Sequence, residues 1–418
     1  MLRVIINNAS WLGLIQMLNY GLPILTLPVV TRAFGPSIFG IIATITAYSA
    51  YVGLVINYGF NYTGPRIVSL VRDDTMALSE RISEILTGQL TLTIVASGIF
   101  ITVLGFVGVD RSFKTISILI LVQAIANALS PQWIFVGLER MREFALVQLC
   151  CRMLATVAIV ATVRSSDDVA LYAAINAFSA ACVAVASFGI LKSYGLYLRR
   201  PSRHAWTSAL REATGLFAST VSINLYTTAN VLIVGLVLGP AAAGPFALAD
   251  RLRQAVGGIL GPITSAIYPF VCRISGRDAS AEETRTKRMF FLIIVVSSGM
   301  MSVCLLIFAA SIVRIVGGEA FSQAVPVLRL MAPLPFIISL SNIFGIQTMI
   351  PMRMDRHLTF VVTTAACLGV ASMFVLSSLL GLEGAGLTVL LVEIFVAVTM
   401  GIILQRRMSV MSLFMAWA

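Results

Sequence analysis

Residues 289–313 read MFFLIIVVSSGMMSVCLLIFAASIV, a stretch without a charged side chain. About 20 apolar residues in an α-helix, each rising about 1.5 Å, cross the hydrocarbon core of a bilayer. The stretch is longer than this, and it lacks the alternation of polar and apolar residues that marks a strand of a membrane barrel. It therefore predicts a transmembrane helix.

The composition of the whole chain agrees with this prediction. Of the 418 residues, 58% are hydrophobic and 11% are charged, and the mean hydropathy is +0.95. Soluble domains carry about 25% charged residues, and a soluble protein this apolar would expose large apolar patches. In lipid every backbone polar group needs a partner within the protein, which favours helices. We therefore predict an all-α integral membrane protein.

Twelve runs along the chain are long and apolar enough to span a bilayer. They cover residues 11–31, 39–61, 85–107, 115–137, 144–163, 169–191, 215–238, 243–271, 289–313, 324–350, 358–380 and 384–404. The loops between them are short, and none has room for a catalytic domain. The prediction is a fold of about twelve transmembrane helices.

The basic residues lie mainly in alternate loops, of which 192–213 and 273–288 are the longest. With both termini in the cytoplasm, most basic residues fall on the cytoplasmic side, as the positive-inside rule requires. This pattern predicts a multi-pass protein of the bacterial inner membrane with cytoplasmic termini. The net charge of +11 is thereby explained by orientation in the membrane, and no nucleic-acid partner is expected.

A short motif recurs in the two halves of the chain. Gly35 and Pro36 are followed by Gly40, and Gly239 and Pro240 are followed by Gly244. Internal repeats that pack around a site in the middle of the membrane are typical of secondary transporters. We predict two pseudo-symmetric lobes of six helices around a central cavity, residues 1–200 and 201–418.

Charged residues inside the predicted spans are the candidates for function, because a central charge costs about 2.5–3.5 kcal/mol on insertion scales. Asp250 and Arg253 in the eighth run are three positions apart and share a helical face. We expect them to neutralise each other, which leaves Arg251 for a ligand. The alternative is that all three lie near the membrane surface and extend their charged ends into water.

Other charged residues of the spans leave two interpretations open. Arg329 in the tenth run, Arg32 at the end of the first and Arg152 within the fifth either line a cavity or reach the membrane surface. Glu393, deep in the twelfth run, is either a proton or sodium site or a counter-ion for an arginine. Neither the coupling ion nor the driving force follows from the sequence.

Pro23 and Pro28 lie within the first run. Proline inside a helix removes a hydrogen bond and bends it, so these residues predict either a hinge or a static bend.

No motif for catalysis or cofactor binding was found. The chain lacks a phosphate-binding Gly-x-x-x-x-Gly-Lys-Ser/Thr motif, and its two histidines, His204 and His357, lie in predicted loops. We therefore expect no enzyme activity, no metal and no cofactor, and transport is the remaining class of function.

Several segments resemble a known family. They are residues 8–40 (NASWLGLIQMLNYGLPILTLPVVTRAFGPSIFG), 58–60 (YGF), 65–66 (PR), 249–252 (ADRL) and 268–269 (YP). The chain resembles the Wzx-type flippases of O-antigen and exopolysaccharide repeat units. These are polysaccharide transporters of the multidrug/oligosaccharidyl-lipid/polysaccharide exporter superfamily.

The resemblance implies a function. Such proteins move undecaprenyl-diphosphate-linked oligosaccharide across the inner membrane by alternating access, for surface polysaccharide biosynthesis. It implies the lipid-linked oligosaccharide and membrane lipid as partners, with a polysaccharide polymerase and co-polymerase as further ones. Planar guanidinium groups suit phosphate oxygens, so Arg32, Arg251, Arg253 and Arg329 are the candidates for binding the diphosphate.

Three alternatives stay open. The first is a cation-coupled exporter of drugs or metabolites with the same fold, although drug-exporting relatives usually carry an acidic residue in the first helix and this chain has none there. The second is a membrane enzyme that transfers or polymerises glycans. The third is a scaffold of a polysaccharide assembly complex that transports nothing.

Overall fold

The computed structural model describes residues 2–106, 111–197, 199, 203–275 and 280–407. Almost all of these residues are helical, and no strand occurs among them. The predicted all-α membrane fold is confirmed, and each of the twelve predicted runs is mostly helical over its described residues.

The helices have these bounds. The first part of the chain forms α1 (Leu2–Asn57), α2 (Phe60–Val71), α3 (Thr75–Phe106), α4 (Arg111–Leu129), α5 (Gln132–Gly137), α6 (Met141–Thr162) and α7 (Val169–Ser193). The second part forms α8 (Arg203–Leu238), α9 (Pro240–Gly258), α10 (Gly261–Ser275), α11 (Ala281–Gly317), α12 (Ala324–Met331), α13 (Leu334–Phe344) and α14 (Asp355–Arg407).

Two of these helices each contain two predicted spans. The backbone of α1 is non-helical at Gly35 (φ 66°, ψ 175°), and that of α14 is non-helical at Gly381 (φ 62°, ψ −139°). Glycine has no side chain that opposes a positive φ, so it permits a sharp bend between two spans without a loop. Eight helical segments of the described chain are long and apolar enough to cross a membrane, and these two long ones are among them.

Four predicted spans are interrupted. The second breaks at Tyr58 and Gly59, between α1 and α2, and the fourth breaks at Ser130 and Pro131, between α4 and α5. The eighth run divides into α9 and α10 at Ile259 and Leu260, just after the pair Gly257 and Gly258. The tenth divides into α12, α13 and a π-turn over Gly345–Met349. Glycine and proline lower helix stability at these points, and hydropathy alone does not register such breaks.

The chain forms two compact units. One comprises Met1–Phe34 and Thr44–Val221, and the other comprises Gly35–Ala43 and Ser222–Ala418. The short segment Gly35–Ala43 thus packs with the second half of the chain. The lobes of residues 1–200 and 201–418, with a cavity between them, stay a prediction.

The first unit has an aromatic core where α2 meets α5. Phe60, Trp133 and Phe135 are fully buried there. A Cβ atom on Gly64 would lie 2.5 Å from the Trp133 ring, so the two helices approach closely at a residue without a side chain. Small residues allow such close packing between membrane helices.

The second unit is organised around α9. This helix packs against α11, α12, α13 and α14, and all its residues from Ala243 to Asp250 are buried. Its alanines and Gly244 keep it thin, which lets several neighbours approach at once. Because the charged residues Asp250, Arg251 and Arg253 lie on this helix, the packing around α9 determines what they can contact.

Candidate functional site

The two copies of the repeated motif have the same backbone conformation. Gly35 has φ 66° and ψ 175°, and Gly239 has φ 83° and ψ 173°. In each copy a proline follows and begins the next helical segment, where its fixed φ suits the first turn and its missing N–H costs nothing. The repeat inferred from sequence therefore has a structural counterpart.

The two motifs also contact each other within the second unit. A Cβ atom on Gly40 would lie 1.9 Å from the carbonyl oxygen of Pro240, and one on Gly244 would lie 2.1 Å from that of Pro36. Each glycine thus packs on the start of the helix that carries the other glycine. Only glycine fits at either position without moving the backbone.

Phe39, beside this contact, supports Arg251. The guanidinium carbon of Arg251 lies 5.1 Å from the centre of the Phe39 ring, within the range of a cation–π interaction. Phe39 is 1% exposed and meets the buried Phe321 edge to face, with ring centres 5.7 Å apart. The aromatic pair therefore gives the guanidinium group a buried apolar surface to rest on.

Arg251, expected from its spacing to be available for a ligand, has a partner in Phe39 that the sequence does not indicate. Stacking on Phe39 occupies a face of the guanidinium, but the N–H groups point outward in its plane. Arg251 is half-buried and makes no ion pair among the described residues. The only sequence signal for Phe39 was its position next to Gly40 in the repeated motif.

Asp250 and Arg253 form the ion pair that their spacing predicted. Arg253 donates from Nε (3.0 Å) and Nη2 (2.7 Å) to Oδ1 of Asp250, and Gln254 donates from Nε2 (2.7 Å) to Oδ2. The side chains of Asp250 and Arg253 are 9% and 14% exposed. The buried carboxylate of Asp250 thus accepts three hydrogen bonds, which stabilise α9. Asp250 also neutralises the charge of Arg253.

Glu393 of α14 belongs to the same electrostatic environment. It attracts Arg253 Coulombically but forms no direct ion pair within the described part of the chain. Arg253 therefore lies between two carboxylates, one bonded and one nearby. This arrangement suits the counter-ion interpretation of Glu393 and leaves a coupling role as a prediction.

The structure does not bring the other candidates into this cluster. Arg329 is exposed on α12, a helix that packs against α9 and α14, and it has no ion pair among the described residues. Arg32 is exposed and belongs to the first unit. Pro23 and Pro28 lie in helical backbone, since the bend of α1 is at Gly35, and their hinge role stays a prediction.

A metal site has no support in the described ranges, where no group of three or more His, Cys, Asp or Glu side chains is placed to bind one. The site is instead a stacked arginine beside a neutralised ion pair, in apolar helices, which suits an anion better than a cation.

Comparison with known proteins assigns the chain to a family. Residues 5–275 match the model of a family described as polysaccharide biosynthesis protein. The chain belongs to this family. Relatives of this polysaccharide biosynthesis protein include two with the name "Putative O-antigen transporter". The one from Escherichia coli (strain K12) is 29% identical over 93% of this chain and 94% of its own length. The one from Shigella dysenteriae is 24% identical over 94% and 98%.

Solved structures show the same fold at low sequence identity. An inward-facing multidrug resistance transporter of the MATE family in the MOP superfamily superposes with a TM-score of 0.69 at 14% identity, covering 95% of each chain. The lipid II flippase MurJ in an inward closed conformation gives 0.67 at 10% identity, covering 97% of this chain and 88% of its own. The family member described here therefore has the fold of MOP superfamily transporters.

Proposed function

We propose that this protein is a flippase that moves undecaprenyl-diphosphate-linked oligosaccharide repeat units across the bacterial inner membrane by alternating access, as a transporter and not an enzyme. The observation that carries the proposal is Arg251. It is a cation inside an apolar helical unit, stacked on Phe39 and without a carboxylate partner among the described residues. An intramembrane charge that the protein itself does not neutralise points to an anionic ligand.

The chemistry of the substrate head fits this arrangement. A diphosphate has several oxygens that accept hydrogen bonds from the planar N–H groups of an arginine. Arg251 offers such groups beside the ring of Phe39, while Arg253 is tied to Asp250 and supports the same stretch of helix. Arg329 and Arg32, both exposed, are proposed as further contacts for the anion along its path.

The membrane setting is part of the proposal. Cytoplasmic termini and the inner membrane follow from the distribution of basic loops, although the last residues, 408–418, lie outside the described part of the chain. We also propose coupling to H⁺ or Na⁺ through Glu393 or Asp250, and a polysaccharide polymerase and co-polymerase as partners. Names of the curated relatives support a role in surface polysaccharide, O-antigen or exopolysaccharide.

The second candidate is a cation-coupled exporter of drugs or metabolites. Its support is the fold shared with a multidrug resistance transporter at a TM-score of 0.69. A cationic drug would need a carboxylate free to receive it, whereas Asp250 already accepts three hydrogen bonds. Deletion of the gene separates the two, because loss of surface glycan indicates the flippase and drug sensitivity with normal glycan indicates the exporter.

Replacing both Arg251 and Arg329 by alanine is expected to reduce surface polysaccharide about tenfold or more at a normal protein level. The reason is the loss of charge-assisted hydrogen bonds, each of which contributes about 1.5–3 kcal/mol. The measurement is quantitative blotting of polymer and of the protein in membranes. Arg314→Ala is the matched control, since Arg314 is 76% exposed and pairs with the exposed Glu319. Normal polymer in the double variant would overturn the assignment of this site.

A further inference from the structure

Arg152 is an arginine in the middle of a membrane helix. It lies about 15 Å from either end of α6 (Met141–Thr162), at 1.5 Å per residue. An arginine side chain is much shorter than this, so Arg152 cannot reach the membrane surface from its position. It is half-buried, and no hydrogen bond or ion pair neutralises it within the described residues.

The packing of α6 shows which way Arg152 points. Ser179 of α7 donates a hydrogen bond to the backbone carbonyl of Cys151 at 3.1 Å, which places Cys151 on the side of α7. Arg152, one residue on, is rotated by about 100° from that side. It shares a face with Gln148 and Ile159, both of which are buried. The arginine therefore points into the first unit and not into lipid.

Gln148, one turn before Arg152 on this face, makes a polar contact with α1. It is 5% exposed, and its Nε2 donates to Oδ1 of Asn19 at 3.2 Å. That bond uses the Asn19 oxygen, so the Nδ2 amide of this exposed side chain is left as a hydrogen-bond donor. The Oε1 atom of Gln148 is buried and accepts no hydrogen bond from the described residues.

These three side chains together form an incomplete polar site. Arg152 lies one helical turn from Gln148 on α6, and Gln148 holds Asn19 of α1 through its hydrogen bond, so a guanidinium group and an amide N–H group that both require an acceptor belong to the same α6–α1 side. Two donors, one of them cationic, match phosphate oxygens. The described residues give the Gln148 oxygen no hydrogen-bond donor, so they do not complete the polar contacts of this region.

We infer that Arg152 and Asn19 form an anion-binding site in the first unit for the phosphate groups of the lipid-linked substrate, with Gln148 as the residue that positions Asn19. The inference rests on the proposed function and extends it by a site separate from Arg251. The ligand class is a phosphorylated lipid head, whose oxygens accept from both donors while the tail stays in the bilayer.

The test is equilibrium binding of undecaprenyl diphosphate to the purified full-length protein in lipid nanodiscs. Arg152→Gln is expected to weaken binding about tenfold or more, and Arg152→Lys is expected to weaken it less because the charge is kept. Arg142→Gln is the matched control, since Arg142 is exposed near the start of the same helix and its loss should leave affinity unchanged. Gln148→Leu should weaken binding less than Arg152→Gln, because it frees Asn19 but keeps the cation.

Folding is checked on the same samples. Arg152→Gln is expected to unfold at the wild-type temperature or above it, since the change removes a charge that no described residue neutralises. Wild-type affinity in both Arg152→Gln and Arg152→Lys would overturn the inference. Binding of inorganic diphosphate that depends on Arg152, with lipid binding that does not, would assign the site to a free anion and also overturn it.

The inference and the proposed function fail in different ways. Equal binding of undecaprenol and undecaprenyl diphosphate by the wild-type protein would contradict the proposed function itself. Selective binding of the diphosphate lipid that is insensitive to Arg152 but lost in Arg251→Ala would keep the function and remove this site alone.

Discussion

Gly40→Leu and Gly244→Leu are each expected to leave little folded protein in the membrane. Even the first carbon of the new side chain would lie 1.9 Å or 2.1 Å from a backbone carbonyl oxygen of the facing helix. Overpacking within a core typically costs about 1–3 kcal/mol when side chains can adjust. Backbone cannot adjust in this way, so the two helix starts must separate and the cost exceeds that range.

Thermal unfolding of the purified protein in detergent measures this effect. Gly40→Ala and Gly244→Ala should lower the midpoint by several degrees, and the leucine variants should lower the folded yield strongly. Gly98→Leu is the matched control, because a side chain at this exposed position of α3 meets nothing within 4 Å. Equal stability of Gly40→Leu and Gly98→Leu would show that the two motifs do not touch.

The losses of stability in Gly40→Ala and Gly244→Ala are expected to be non-additive. Both alanine changes force the same separation of Pro36 and Pro240 from the facing helix, so the double variant should cost clearly less than the sum of the single ones. Additive costs would mean that the two glycines act at independent contacts, which the reciprocal geometry does not allow.

Asp250→Leu is expected to destabilise the protein by about 3–5 kcal/mol, the range for breaking a buried ion pair from one side. It leaves Arg253, whose side chain is 14% exposed, without the carboxylate that it contacts at 2.7 Å. Gln254 loses its acceptor as well. Asp250→Asn should cost less, because the amide oxygen still accepts a hydrogen bond.

The loss of stability in Asp250→Leu can be tested with a control variant and a rescue variant. Glu319→Leu removes an exposed pair with Arg314 at 3.0 Å, and exposed pairs contribute about 0–1 kcal/mol. The rescue variant combines Asp250→Leu, Arg253→Leu and Glu393→Gln, since Glu393 would otherwise lose its nearby cation. It should recover most of the lost stability. Equal effects of Asp250→Leu and Glu319→Leu would contradict the buried cluster.

The twelve runs were predictable from sequence because hydropathy is a property of consecutive residues. The Asp250–Arg253 pair was predictable for a similar reason, since spacing within one helix determines which residues share a face. The bend of α1 lies at Gly35, in the gap between the first two predicted runs, 11–31 and 39–61. A positive φ there turns the chain sharply, and the hinge role of Pro23 and Pro28 stays a prediction.

Contacts between distant segments could not be predicted. Phe39 and Arg251 are far apart in sequence and meet through the crossing at Gly40 and Gly244. The orientation of Arg152 likewise required knowing that α7 packs on the Cys151 side of α6 and that α1 meets Gln148. The sequence indicated which charged side chains lie inside the membrane at a cost in free energy. Only tertiary packing shows which of them the protein neutralises.

The most direct test of the central claim is transport by the purified protein in liposomes. Undecaprenyl-diphosphate-linked oligosaccharide would be placed in the inner leaflet, and its arrival outside would be followed with a membrane-impermeant lectin. We expect the wild-type protein to expose the glycan far faster than protein-free liposomes do, and Arg251→Ala to reduce that rate strongly. A wild-type rate equal to that of protein-free liposomes, with the protein folded and inserted, would contradict the flippase function.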